Sequence, residues 1–228
     1  MIIRYSVICF LSIVTLVLAV IFFNKGMGNA FFMQADYSLK EWSKAGKIVD
    51  KHEYVQSLAS INKALEYDSK NPHYYNAKAR ILDWGIASNF EPIESNHKIE
   101  ELYLTSVAFR KHWPVTWIEL AAAHSYTYGV DNKTLQYIDS AYKFGPFNKD
   151  VIRISLSILL SNWDLLEPEV KTKFYQFLEL SSRNVNLFRK VLGQAKQIQK
   201  QKIICLQIKY NKAYERYKNS RLDKQFCS

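Results

Sequence analysis

The sequence predicts an all-α protein. About four helical hairpins form an array that ends in a basic C-terminal helix and follows one N-terminal transmembrane helix. Three observations lead there. The 228 residues include only five prolines and seven glycines, so turns are few and elements long, which favours helices. All five prolines fall where helices should start or stop. Between them, apolar residues recur at helical spacing, and no stretch alternates as a half-buried strand would.

The first element is the membrane span. Tyr5 to Phe23, YSVICFLSIVTLVLAVIFF, carries no charge over nineteen residues. At about 1.5 Å per residue, such a helix nearly crosses a hydrocarbon core of about 30 Å. Arg4 precedes it and Lys25 follows it. A cleavable signal peptide, with Gly28-Asn29-Ala30 as its small-x-small site, competes with an uncleaved signal anchor. The run is longer than the roughly 7–15 apolar residues of a cleavable leader, which favours the anchor. Residues 1–4 are then a short cytoplasmic tail, with the helical domain outside the cytoplasm. Residues 24–36 read as a linker, in which Phe31, Phe32 and Met33 lie at the membrane interface or begin the core.

Residues 37–182 read as paired helices. Asn71-Pro72, Trp113-Pro114 and Glu167-Pro168 each place proline at a first helical position. Gly145-Pro146 reads as a stop, and Pro92 lies in the polar stretch Asn89–Asn96 between two periodic segments. Leu58, Ile61, Ala64 and Leu65 share a face. So do Tyr75, Ala79 and Leu82; Leu102, Leu104, Val107 and Ala108; and Leu135, Ile138, Ala141 and Tyr142. In WIELAAAH, residues 117–124, Trp117, Leu120, Ala121 and His124 fall on one face, and Ala121 leaves room for a neighbouring backbone. Ala64, Ala108 and Ala141 each sit near a helix end ahead of a turn and a proline, 44 and then 33 residues apart.

On these residues the chain resembles the tetratricopeptide-repeat family, whose period is about 34 residues. Trp117, Leu120, Ala121 and His124 match its first helix, Thr134 and Ile138 its second, and Ala141 with Pro146 its closing pair. Tyr75, Ala79, Leu82 and Ala108 match the preceding unit. Ala45, Ile48, Ser57, Ile61 and Ala64 match the one before that. Lys78 and Glu41 stand where leucine and an aromatic are usual. The pair spanning Val151–Ser182 fits less well, so the resemblance covers about residues 38–182. It implies that Ala45, Ala64, Ala79, Ala108, Trp117, Leu120, Ala121, Ala141 and Pro146 pack the hairpins. It also implies that His73, Asn76, Arg80, Asp83 and Trp84 face a partner-binding groove. Against this stands the plainer reading, with Trp84 in the core and Arg80–Asp83 an ordinary surface pair.

A narrower resemblance lies in RKHWPVTWIELAAAHSYTYGVDNKTLQYIDSAYKFGPFNKDVIRISLSILLSNWDLLEP, which is similar to the VpsP-like polysaccharide biosynthesis proteins. Its carriers are Trp113-Pro114, Trp117, Ala121, Ala141, Gly145-Pro146 and Trp163, with Phe147 in place of the tryptophan expected after Gly-Pro. The resemblance implies a singly anchored inner-membrane protein with its helical domain in the periplasm. It further implies a scaffolding role among proteins of an exopolysaccharide assembly or export complex. A general envelope or secretion scaffold is the alternative, and a glycan-modifying enzyme a more distant one.

The residues themselves show little chemistry. None of His52, His73, His97, His112 and His124 stands in an HExxH motif, and GxSxG and phosphate-binding glycine loops are absent. No catalytic residue, metal or cofactor is expected. His124 reads as a core or hydrogen-bonded histidine rather than a ligand, and Glu91, Glu94, Glu100 and Glu101 as a polar loop.

The net charge of +10 is concentrated. From Arg189 to Lys224, eleven Lys/Arg face only Glu215 and Asp223, a local +9. Residues 183–222 therefore read as one or two basic helices with an apolar stripe of Phe188, Leu192, Ala195, Ile198, Leu206, Tyr210, Ala213 and Tyr217. A tail at 223–228 follows. Such a segment caps the array or meets anionic headgroups or an acidic polysaccharide; nucleic acid is not expected. Cys205 and Cys227 can pair in an oxidising compartment, or remain one core and one tail thiol.

Overall fold

The computed structural model describes residues 2–227; Met1 of the expected tail and Ser228 lie outside them. The described residues are helical and contain no strand. They form two compact units, divided between Lys111 and His112.

The first unit opens with α1, Ile2–Ala45, a single helix of 44 residues. Where a linker was expected at 24–36, the helix continues. No proline occurs before Pro72, and glycine in a helix interior costs only about 0.5–1 kcal/mol. Packing outweighs that cost. From Ile8 to Phe23 the helix is apolar and exposed all round, whereas beyond it a stripe of Gly28, Ala35, Leu39 and Trp42 is buried. That stripe packs on α2, Lys51–Tyr67. Helix α3, Pro72–Ala87, and α4, Asn96–Phe109, complete the unit, and α1 and α2 both also touch α3.

Local chemistry sets the boundaries. Asp50 and Asn71 cap α2 and α3 by accepting from His52 and His73 backbone N–H groups at 3.0 and 3.1 Å. Pro72 occupies the first turn of α3, as predicted. The polar stretch before α4 folds into a 3-10 turn, Ile93–Ser95. It is held to α2, because Tyr54 Oη donates to Glu91 Oε1 at 2.8 Å. A side chain at Gly85 would place its Cβ 2.7 Å from that tyrosine's oxygen, so the Tyr54 ring would have to shift to admit it.

The second unit comprises α5, Pro114–Tyr128; α6, Asn132–Phe144; α7, Lys149–Ser161; α8, Pro168–Ser182; and α9, Val185–Gln197. Helix α10, Gln201–Tyr210, a 3-10 segment, Lys212–Tyr217, and α11, Arg221–Phe226, follow. Sequential helices pair as α5 with α6 and α7 with α8. Alternate helices also touch: α5 meets α7, and α7 meets α9. Gly145 lies between α6 and α7 with ordinary negative φ. It is glycine for space, since a Cβ there would lie 2.8 Å from Pro114.

One buried pattern recurs through both units. The second helices present Ser57, Ile61 and Ala64; Ile99, Tyr103 and Ser106; Thr134, Ile138 and Ala141; and Phe174, Leu178 and Ser181, all buried. Side-chain hydrogen bonds also tie elements that lie far apart in sequence. Ser106 donates to the Pro72 carbonyl at a sequence separation of 34, Tyr217 to the Ser182 carbonyl at 35, and Gln194 to Ser157 at 37.

The structure corrects several expectations. Ala45 is exposed at the end of α1, where Trp42 and Ile48 take the core positions. Ala108 is exposed as well, along with Leu104. Tyr103 and Ser106 bury instead, the serine satisfied by its bond to Pro72. The basic C-terminal stretch is not one continuous stripe. Gln199 adopts φ of 57°, which ends α9 and resets the helical phase. Ile204 and Ile208 are buried in place of Leu206 and Tyr210, and Tyr214 in place of Ala213. Ile198 is left partly exposed. The expected tail at 223–228 is helical through Phe226, because Ser220 caps α11 at Asp223 N. Cys205 and Cys227 form a disulfide.

Candidate functional site

The five residues expected to face a partner lie on α3 but do not share one open face. His73, Arg80 and Asp83 are exposed, whereas Asn76 is buried. Trp84 is half-buried with its ring 6.4 Å from Trp42. The exposed three form a strip ten helical steps long, about 15 Å. His73 Nε2 lies 2.7 Å from Arg110 Nη1. Partial burial, then the positive charges of Arg110 and Arg80, push the His73 pKa below its ordinary value. Asp83 keeps solvent access, and desolvation by the surrounding protein pushes its carboxyl up.

A second surface was missed in the sequence. In the second unit, the first helices α5, α7 and α9 lie side by side and line a groove of about 440 Å³. Ser125 and Tyr126 come from α5, Arg153, Ser157 and Ser161 from α7, and Gln194 from α9. Gln194 Nε2 donates to Ser157 Oγ at 2.9 Å across the groove floor. The Tyr126 ring is 72% exposed at the rim. Arg153 reaches Asp150 at 3.3 Å and remains partly accessible. Hydroxyls, amides, one cation and one exposed ring suit a hydrogen-bonding chain better than an apolar small molecule. No carboxylate is among the residues that line the groove. The sequence signal that could have found it is the α7 spacing Ile154, Ser157, Ser161, a stripe that runs beside buried Ile158.

The remaining candidates resolve into packing and charge. His124 is buried and holds Asp131 Oδ2 at 3.2 Å, while Asp131 Oδ1 accepts from Thr134 N at 2.7 Å. Desolvation raises the Asp131 pKa, but the bonds from Thr134 and His124 outweigh it and hold the carboxyl below its usual range. Trp117 sits half-buried with its ring 5.9 Å from Tyr137, beside fully buried Leu120 and Ala121. Ala64, Ala79 and Ala141 are fully buried, and Pro146 is half-buried. In the basic segment, Lys202, Lys209 and Lys218 rim a hollow of about 420 Å³ beside the disulfide, with Asp223 among its walls. Among the described residues, no group of three or more His, Cys, Asp or Glu is placed to hold a metal ion.

Comparison of the chain with protein-family models and with curated proteins finds no match.

Proposed function

We propose that this chain is a single-pass inner-membrane protein with a tetratricopeptide-like helical array in the periplasm. The array holds partner proteins of an exopolysaccharide assembly or export complex together, without chemistry of its own. The observation that carries this reading is the groove formed where α5, α7 and α9 align, with contacts at separations of 34 to 37 residues. Repeat arrays present extended concave surfaces of this kind to their partners. The exposed, all-round apolar stretch of α1 supports the anchor, since it is long and apolar enough to cross a membrane. The Cys205–Cys227 bond supports an oxidising compartment. The polysaccharide setting rests on the resemblance of Arg110–Pro168 to the VpsP-like proteins.

Capture of the full-length protein from membranes tests the reading. Glycan-polymerising or export proteins should co-purify, and Tyr126→Ala/Arg153→Glu should reduce their recovery about tenfold while the helical circular-dichroism signal stays unchanged. Recovery of the same partners at the same yield by the variant would remove the groove from the account.

A further inference from the structure

The direction of α1 determines which end of the first unit faces the bilayer. The apolar stretch ends at Phe23, and the buried stripe begins within the next five residues, at Gly28. Five residues of helix rise about 7.5 Å. A headgroup layer is about 5–8 Å thick on each side of the hydrocarbon core. A chain anchored through α1 therefore has no slack between membrane and domain, and the first packed layer lies at the edge of the headgroups.

Side-chain contacts identify that layer. A Cβ at Gly28 would lie 3.3 Å from the Ala64 carbonyl oxygen and 3.4 Å from both Tyr67 and Tyr74. Phe31 stacks on Tyr67, and Phe32 on Tyr74. The C-terminus of α2 and the N-terminus of α3 are thus at the membrane end. The C-terminus of α4 joins them: Tyr75 and Phe109 rings lie 5.9 Å apart, and Ser106 donates to the Pro72 carbonyl at 3.0 Å. The opposite end holds the α1–α2 connection and the loop after α3, where Trp42 meets Trp84 and Tyr54 meets Phe90.

The two ends differ in chemistry. The membrane end carries Lys25, Lys70, Arg110 and Lys111 against Glu66 and Asp68, with Tyr67 and Phe109 partly exposed. The far end carries Glu91, Glu94 and Glu100 with Asp50, but also Lys44, Lys47, Lys51 and Lys98, so its charges balance. Aromatic rings favour the headgroup level, and basic residues favour anionic lipid.

We infer that the membrane-proximal end of the first unit, built from Lys70, Phe109, Arg110 and Lys111 around Tyr67, docks on the anionic headgroups of the bilayer that holds α1. The inference rests on the anchored reading above, and it makes anchor and domain one rigid body standing on the lipid surface.

Spin labels at four positions of the full-length protein, with Cys9→Ser removing the free thiol, test it in vesicles containing anionic lipid. Leu16→Cys reports the span, Ser69→Cys and Ala108→Cys the docking end, and Lys47→Cys the far end. The expected result is hydrocarbon depth at position 16, headgroup depth at 69 and 108, and water at 47. Lys70→Glu/Lys111→Glu should return 69 and 108 to the aqueous value and leave 16 unchanged. Labels 69 and 108 as aqueous as 47, with 16 still in hydrocarbon, would overturn the docking and leave the anchor standing. Headgroup depth that survives the charge reversal would overturn the recognition of anionic lipid. An aqueous reading at 16 would overturn the anchor itself, and the docking with it.

Discussion

Ala121 shows how a single side chain sets a helix–helix distance. It is fully buried between Leu120, also fully buried, and half-buried Trp117 on the face that meets α6. Helices approach to about 8–10 Å, the lower values requiring small residues at the contact. Ala121→Leu should overpack that contact and destabilise the second unit by about 1–3 kcal/mol. The thermal melt of the variant checks this, and an unchanged midpoint would contradict close packing at Ala121. The small buried residues were partly legible in the sequence: Ala64, Ala79, Ala121 and Ala141 are all fully buried. Ala45 and Ala108 misled because composition alone cannot tell a packing alanine from a surface one. In α4 the packing role fell to Ser106, whose hydroxyl is satisfied by a carbonyl and so tolerates burial.

At the scale of elements, hydrophobic periodicity located the helices and proline located their starts, while continuity was harder to read. Two glycines and a change from all-round apolar to amphipathic pattern look like a linker in sequence. In the structure they are the point where α1 passes from an exposed stretch into a packed one. The C-terminal stretch failed in the opposite direction. A stripe drawn through Ile198, Leu206 and Tyr210 assumed one helical phase, and the left-handed residue Gln199 breaks it. Non-glycine residues seldom adopt that conformation, so no local signal announced the break. Cys205–Cys227 then ties α10 to the end of α11 across a separation of 22 residues. A crosslink of that size restricts the unfolded chain by about 3 kcal/mol. Cys205→Ser/Cys227→Ser should lower the unfolding free energy of the second unit by that order in denaturant titration. Equal midpoints for the variant and the oxidised protein would show that the bond contributes nothing to stability.

At the scale of the whole molecule, the sequence revealed the class of architecture but not the groove. Its walls come from three separate helices, and Ser157 and Gln194, 37 residues apart, meet only because α7 and α9 lie side by side. Without that register, serines on α7 look like an ordinary solvated face. The central claim is a single leading span that leaves the helical body on the far side of the cytoplasmic membrane. Its most direct test is protease protection of the full-length protein in sealed spheroplasts. Protease added outside should digest everything beyond the span while a cytoplasmic marker stays intact. A body that resists until the membrane is broken would contradict the account.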